Sequence, residues 1–139
     1  MNAATAAGHM RLWVQLVWAT RDRERLLPPT LDEWLERLLA DRCHQIGCTA
    51  LAVGSASDHV HILLAFRPGI PIATIAQELK GPSSRALSAR IPRFGWQPGY
   101  YAETVGDIAS LVDHVRHQRQ HHEGSAPPES WEAYFESGD

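Results

Sequence analysis

The sequence predicts an α+β domain built on one antiparallel sheet, and three observations favour it. The chain has 139 residues, of which 44% are apolar and 21% charged, which fits one globular domain with a single core. Runs rich in Val, Leu and Trp alternate with apolar stripes at helical spacing. Their order is strand, helix, strand, strand, helix, strand, helix. The first six elements follow the βαββαβ order of a ferredoxin-like sandwich, with helices on one face of the sheet, and the seventh is an added C-terminal helix.

The first strand and helix are predicted from residues 11–47. Residues 11–20 read RLWVQLVWAT, which is typical of a buried strand. Thr30 and Glu33 have the spacing of a capping box, which predicts a helix start there. Gly47 is well placed to end that helix. The predicted buried stripe has steps of three and four and consists of Leu31, Trp34, Leu35, Leu38, Leu39, Cys43 and Ile46.

The second half of the chain repeats the pattern of strands and helices. Residues 48–66 predict two strands joined by a small polar turn at residues 54–58. A helix follows from Ile72, and Gly81 with Pro82 is expected to break or kink it. Residues 94–105 predict a strand entered through a Gly/Pro turn. Asp107 is expected to cap the last helix, which Gly124 ends. Its predicted buried stripe consists of Ile108, Leu111, Val112 and Val115.

Composition predicts where the domain begins and ends. Residues 1–9 are expected to be a disordered leader, residues 10–124 the domain, and residues 125–139 an acidic C-terminal tail. No apolar run is long enough to span a membrane and no secretory signal is evident, so a cytoplasmic protein is expected. The net charge is −3, yet five acids and no Lys or Arg follow residue 122, and residues 79–102 contain no acid. A local basic surface is therefore predicted there, with a merely solvated face as the alternative.

The two cysteines do not have the spacing of a metal site. Cys43 and Cys48 are five residues apart, unlike the pairs that bind zinc. In a cytoplasmic chain both are expected to be reduced, and Cys43 is expected to fill the core beside its helix.

A histidine pair lies in the segment DHVHILLAF, residues 58–66. Side chains alternate between the two faces of a strand, so His59 and His61 share one face. Their Cβ atoms are expected to lie about 7 Å apart, close enough to chelate one divalent metal. The alternative is a pair of histidines that face solvent.

The last helix carries a second histidine group. Four of the eight histidines lie between residues 114 and 122. His114, Gln118 and His121 follow steps of four and three and would line one edge of a helix. A solvated polar face is the alternative, and a structural zinc or nickel site formed by His117 and His121 is another.

Five stretches together resemble one family. They are LWVQLVWATRDRERLL, DHVHILLAF, IATIAQELKGPSSRAL, GWQPGYYAETV and VRHQRQHHEG, and they cover roughly residues 10–124 in order. In this order they resemble the single-tyrosine HUH transposases, the small enzymes of single-strand insertion sequences and of the REP-associated group. Each stretch is weakly specific by itself, and the specificity lies in their succession.

The resemblance implies a metal-dependent reaction on single-stranded DNA. His59 and His61 would bind Mg²⁺ or Mn²⁺, with Gln118 as the third ligand. The metal would polarise a scissile phosphate. In the family a tyrosine then attacks that phosphate and leaves a 5′-phosphotyrosine and a free 3′-OH. The resemblance also implies a homodimer.

The main departure from the family is at the nucleophile. His114 stands four residues before Gln118, where the family has its tyrosine. Transposition would then be lost or altered, leaving a protein that binds single-stranded or hairpin DNA, including a non-catalytic regulator. Alternatively, His114 acts as nucleophile or base in a single-strand nuclease, or Tyr100 or Tyr101 substitutes, although a structural role is favoured for Tyr100. The neighbouring His121 and His122 would lie at the edge of the site.

Basic residues are the predicted DNA contacts. Trp96 could stack on a base, but a place in the core is the favoured interpretation. The predicted phosphate contacts are Lys80, Arg85, Arg90, Arg93 and Arg21.

Overall fold

A computed structural model describes residues 12–66, 69–105 and 108–117. Within these ranges it contains four strands and three helices, with short 3₁₀ turns at Arg21–Arg23 and Pro29–Leu31. None of the helices in the described ranges has the length and apolar character that a membrane span requires. The elements are β1 (Leu12–Ala19), α1 (Asp32–Gln45), β2 (Thr49–Ser55), β3 (His59–Phe66), α2 (Ile72–Ser88), β4 (Tyr101–Thr104) and α3 (Ile108–Arg116).

The four strands form one antiparallel sheet in the order β2-β3-β1-β4. Strands β1 and β3 pair along their whole length, from Leu12 opposite Phe66 to Ala19 opposite His59. Strand β4 pairs with the middle of β1, and β2 pairs with β3 across a register shift between Ala50 and Ala52. This order, with each helix crossing between strands, is that of a ferredoxin-like sandwich, so the predicted fold class is confirmed.

The main core lies between the sheet and helices α1 and α2. Alternate residues of the central strands face the helices, as period-two patterning requires. Removing this apolar surface from water is the largest favourable contribution to folding. The fully or almost fully buried members are Val14, Leu16 and Trp18 of β1, Val60, Ile62 and Leu64 of β3, Leu35 and Leu39 of α1, and Ile75 and Leu79 of α2.

Helix α3 packs on the opposite face of the sheet. Val115 is fully buried there and packs with Ala52 of β2 and Leu63 of β3, and Val112 is half-buried against the same cluster. The predicted stripe of the last helix is confirmed for these two valines. The side chains of the other predicted stripe residues, like Asp107, Gly124, the leader and the tail, lie outside the described residues.

The predicted N-cap of α1 is wrong by one residue. A 3₁₀ turn at Pro29–Leu31 leads directly into the helix, Leu31 occupies the N-cap position, and no side chain caps it. The predicted capping box at Thr30 and Glu33 therefore does not form. The predicted end is confirmed, because the helix stops at Gln45 and Gly47 takes a φ of 87°, which favours glycine.

Helix α2 runs through Gly81 and Pro82 without a break, contrary to prediction. Pro82 has no N–H for the carbonyl of Glu78, four residues earlier. Arg42 of α1 supplies the missing donor, because its Nε donates to that carbonyl at 3.2 Å. A side chain distant in sequence thus compensates for the proline.

The strand predicted at residues 94–105 is shorter than expected and is confined to β4. The residues before it join the main core instead. Trp96 is 9% exposed, its Nε1 donates to Ser83 Oγ at 3.0 Å, and it meets the Trp18 ring edge-on at 5.8 Å. The interpretation of Trp96 as a core residue is confirmed.

Candidate functional site on the histidine face

The face of the sheet that bears His59 and His61 is called the histidine face here. His61 lies opposite Val17 of β1 and Gly54 of β2, and His59 lies opposite Ala19. Both histidines are 1% exposed, and their ring centroids are 5.2 Å apart. The prediction that they share one face is confirmed, and the alternative of a solvent-facing pair is wrong.

A carboxylate holds the first histidine. Asp58 Oδ1 lies 2.7 Å from His59 Nδ1, and Arg23 Nε donates to Asp58 Oδ2 at 3.0 Å. With the proton on Nδ1, the lone pair of His59 Nε2 can bind a metal. Metal-binding histidines commonly donate their other ring N–H to a carboxylate in this way. Sequence reasoning missed Asp58 and Arg23, although an acid directly before the histidine pair was a usable signal.

Asp58 is ionised at neutral pH. Burial acts to raise the pKa of its carboxyl, but the hydrogen bond to His59 and the charges of His59 and Arg23 outweigh burial, so the pKa lies below its usual value. The carboxylate is therefore an acceptor that favours the tautomer of His59 with a proton on Nδ1.

Gln15 is a buried polar side chain on the same face. It lies in β1 between Leu63 and Glu103 and is 5% exposed. Among the residues that the structure describes, its Oε1 has no hydrogen-bond partner. Buried amide oxygens are nearly always engaged, so this oxygen fits a face that binds a polar ligand. Sequence reasoning missed Gln15 because the residues around it in β1 are apolar.

Helix α3 brings His114 to the side of the sheet that bears the histidine face. Val115 anchors the helix to Leu63, and His114, next to it, is half-buried. His117 is exposed, with its Nδ1 2.9 Å from the carbonyl of Asp113. The predicted ligand Gln118 and the site-edge residues His121 and His122 lie outside the described residues. In the described ranges, no three His, Cys, Asp or Glu residues are grouped so as to hold a metal.

Two adjacent tyrosines lie on opposite faces of the sheet. Tyr101 lies opposite Val17 and packs against Val17 and Ala19 on the histidine face, and its hydroxyl is hydrogen-bonded to Glu103. Tyr100 packs against the main core instead. The structural role favoured for Tyr100 agrees with its packing against the core, and Tyr101 is the tyrosine on the histidine face.

A basic corner, formed by Arg21 and Arg93, lies at the end of the sheet where β3 begins. The backbone N–H of Arg21 donates to Gly95 O at 2.9 Å, and its guanidinium covers Gly95 so closely that a Cβ there would collide with it. Arg93 precedes Gly95 by two residues and is exposed. Thr20 donates to the carbonyl of Asp58 at 2.9 Å, which places the corner beside the Asp58 turn.

The other predicted DNA contacts lie elsewhere. Lys80 Nζ donates to the carbonyls of Gln97 and Gly99, both at 2.8 Å, and burial lowers the pKa of this amine. It therefore ties α2 to the segment before β4. Arg90 stacks 4.2 Å from the centroid of the Trp34 ring, on the helical side of the sheet, and Arg85 is exposed on α2. Their contacts with DNA stay predictions.

The fold and the histidine pair together define a class of small α+β protein, with an antiparallel sheet and an added helix on its second face. Comparison of the sequence with known protein families identifies the family. The family model described as "Transposase IS200 like" matches residues 9–118. This chain belongs to the IS200-like transposase family.

Two curated relatives and two solved structures are similar to it. The transposases for insertion sequence element IS200 of Salmonella typhimurium LT2 and Salmonella typhi are each 30% identical over 90 residues, covering 58% of this chain and 59% of each relative. The chain thus spans under two thirds of their length. A candidate transposase from Deinococcus radiodurans has a TM-score of 0.65 at 28% identity, over 79% of this chain and 92% of that one. A REP-associated tyrosine transposase bound to a REP hairpin has a TM-score of 0.62 at 16% identity, over 80% and 68%, and shows the fold alone.

Proposed function

We propose that this protein binds single-stranded or hairpin DNA and holds a divalent cation, Mg²⁺ or Mn²⁺, on its histidine face. The observation that carries the proposal is the buried pair His59 and His61 with the Asp58 carboxylate behind the first ring. Imidazole is the commonest protein ligand for metals, and a carboxylate that orients it raises its basicity. Gln118 is the proposed third ligand.

The residues present fit a cation. Two imidazoles 5.2 Å apart on a rigid central strand offer two donors, and the buried Oε1 of Gln15 lies on the same face. When bound, the cation would act as a Lewis acid on a phosphate of the DNA. Asp58 and Arg23 hold His59 in place, and the sheet keeps both rings in register.

Hairpin DNA is the proposed partner, supported by membership of the family and by the solved REP-associated transposase with its hairpin. Arg21 and Arg93 lie at the end of the sheet beside the Asp58 turn, where they could meet phosphates next to the cation. Arg85, Arg90 and Lys80 would contribute little, because Arg90 lies over Trp34 on the helical side and Lys80 already binds two carbonyls. Because the chain carries a net charge of −3, binding should be weak and sensitive to salt.

Strand cleavage and rejoining is proposed to be lost or altered, because His114 occupies the position of the family's tyrosine. The placement of His114 on the side of the histidine face favours, as a second candidate, a single-strand nuclease that uses it as nucleophile or base. A non-catalytic DNA-binding regulator is the third. A cytoplasmic homodimer is proposed from the family alone.

The proposal is tested by titrating Mn²⁺ into the wild type and into His59→Ala, His61→Ala, His121→Ala and the matched control His44→Ala, which alters an exposed histidine of α1. Loss of binding in the first two variants only is expected. Loss only in His121→Ala would instead indicate a site on the last helix.

Hairpin and unstructured DNA are then compared by fluorescence anisotropy over a range of salt concentrations. Absence of binding at low salt would refute the proposal that the protein binds nucleic acid.

A further inference from the structure

We infer that Tyr101 of β4 is the nucleophile of this protein, with Glu103 as the base that accepts its proton. The inference rests on the proposed function, since it requires DNA and a cation on the histidine face. The nucleophile would then be a residue of the sheet and not the residue at position 114 of the last helix.

The sheet register places Tyr101 beside the histidine pair. His61 of β3 lies opposite Val17 of β1, and Val17 in turn lies opposite Tyr101 of β4. The three residues form one row across the sheet, and paired residues in such a row project from the same face. Since adjacent strands are about 4.8 Å apart, the backbone of His61 and that of Tyr101 are separated by about 10 Å. His61 and Tyr101 thus stand at the two ends of one row, with the fully buried Val17 between them.

Tyr101 is also accessible. Its ring packs on Val17 and Ala19, and its side chain is half-buried. Its hydroxyl makes an exposed hydrogen bond with Glu103. Strand β4 is an edge strand of the sheet, and α3 packs on β2 and β3 at the other side of the histidine face. A nucleic-acid strand could therefore reach Tyr101 beyond β1 with no described helix in its way.

Glu103 supplies a base that can accept the proton of the Tyr101 phenol. A free tyrosine has a pKa near 10 and is a weak nucleophile at neutral pH. Tyr101 and Glu103 are two residues apart on one strand, hence on one face, and the phenolic O–H donates to a carboxylate oxygen of Glu103. A nucleophile hydrogen-bonded to a base is the usual signature of covalent catalysis. Glu103 is exposed, so it can pass the proton on to water.

The reaction balances without a further reagent. The phenolic oxygen of Tyr101 attacks the phosphorus of a DNA phosphodiester, and the new bond is a tyrosyl phosphoester. The bond from phosphorus to the 3′ oxygen breaks. The phenolic proton passes to Glu103, and solvent returns one proton to the departing 3′ oxygen, which becomes a free 3′-OH. The covalent product keeps the energy of the phosphodiester for rejoining.

Tyr100 provides a matched control. It neighbours Tyr101 in sequence but packs against the main core on the other face. Tyr101→Phe and Tyr100→Phe each remove one hydroxyl and keep the ring, so both should fold. Only the first removes a hydroxyl from the histidine face.

The test is a denaturing gel of the full chain with Mn²⁺ and 5′- or 3′-labelled single-stranded DNA that carries a hairpin. We expect a covalent adduct with wild type and Tyr100→Phe, at least a hundredfold less with Tyr101→Phe, and a marked loss with Glu103→Gln. The adduct should survive acid, which hydrolyses phosphohistidine, and mass spectrometry should locate it on Tyr101.

Each other outcome overturns the inference in a recognisable way. An adduct that persists in Tyr101→Phe, or one that is acid-labile and maps to His114, assigns the nucleophile elsewhere. If Mn²⁺ and hairpin DNA bind to wild type but no adduct forms, the proposed function stands and the role of Tyr101 is refuted. If neither Mn²⁺ nor DNA binds, the proposed function fails, and the inference fails with it.

Discussion

At the scale of single residues, the site depends on side chains that support others. His59 is held by Asp58, and Asp58 is held by Arg23, so a half-buried arginine is linked to a buried imidazole through one carboxylate. Such partners matter because they set the tautomer and orientation of a ligand.

Replacing Asp58 tests this chain of contacts. Asp58→Asn removes the charge that favours a proton on His59 Nδ1, and we expect Mn²⁺ affinity to fall about 10-fold or more. Asp41→Asn, an exposed change on α1, is the control and should leave affinity unaltered. Isothermal titration measures both, and an unchanged affinity in Asp58→Asn would show that the carboxylate does not act on a metal ligand.

The buried thiol of Cys43 gives a second prediction at this scale. Burial, with a smaller contribution from the neighbouring Cys48, raises the pKa of Cys43 to about 12. The thiolate, which is the reactive form, is therefore scarce below that pH. In native protein, iodoacetamide should leave Cys43 unlabelled from pH 7 to pH 9, whereas a thiol with an ordinary pKa near 8.5 would react faster across that range. Mass spectrometry after brief exposure measures the fraction of Cys43 that is alkylated, and unfolded protein is the fully labelled control.

At the scale of elements, contacts between helices override local signals. Helix α2 continues through Pro82 because Arg42 of α1 donates to the carbonyl of Glu78 that the proline leaves without its helical partner. The interruption predicted from Gly81 and Pro82 is thus compensated by another helix.

A double-mutant cycle tests this compensation. Arg42→Ala should destabilise the fold by about 1–2 kcal/mol, because it leaves a carbonyl unsatisfied. Pro82→Ala restores an N–H at that position, so the double variant should lose less than Arg42→Ala alone. Arg37→Ala, whose ion pair with Glu33 is exposed, should change stability by less than about 0.5 kcal/mol. Urea unfolding measures all four, and additive losses would contradict the role of Arg42.

At the scale of the whole molecule, the sheet divides two surfaces. One face is filled by α1 and α2, and the other combines the histidine pair, Gln15 and Tyr101 with partial cover by α3. The basic corner of Arg21 and Arg93 lies at the end of the sheet beside the Asp58 turn, whereas Arg90 lies over Trp34 on the first surface. DNA bound to the histidine face would therefore contact only some of the basic side chains that the sequence predicts as DNA contacts.

This division predicts an asymmetric effect of charge. Arg21→Ala and Arg93→Ala should each weaken hairpin binding and reduce the slope of log affinity against log salt by about 1. Arg90→Ala should have little effect on either, because its guanidinium lies on the helical side. Anisotropy titrations at several salt concentrations measure the affinity and its salt dependence. Equal effects of all three variants would show that the DNA does not bind preferentially on the histidine face.

The sequence by itself determined the features that depend on local periodicity. Alternation along β3 separates His59 and His61 from Val60, Ile62 and Leu64, and this holds whatever the strand pairs with. The order of strands and helices likewise determined the fold class, since few topologies accommodate it. Patterns of this kind are read from neighbouring residues, and no distant contact is needed to interpret them.

Only the tertiary structure decided the features that depend on distant partners. The continuity of α2 required Arg42, and the burial of Gln15 required both of its neighbouring strands. The position of Tyr101 beside His61 required the pairing of β4 with β1. Chain segments far apart in sequence meet there with a register that no local pattern encodes. A single-residue shift of that register would move Tyr101 to the other face, which is why its place beside His61 could be established only from the folded sheet.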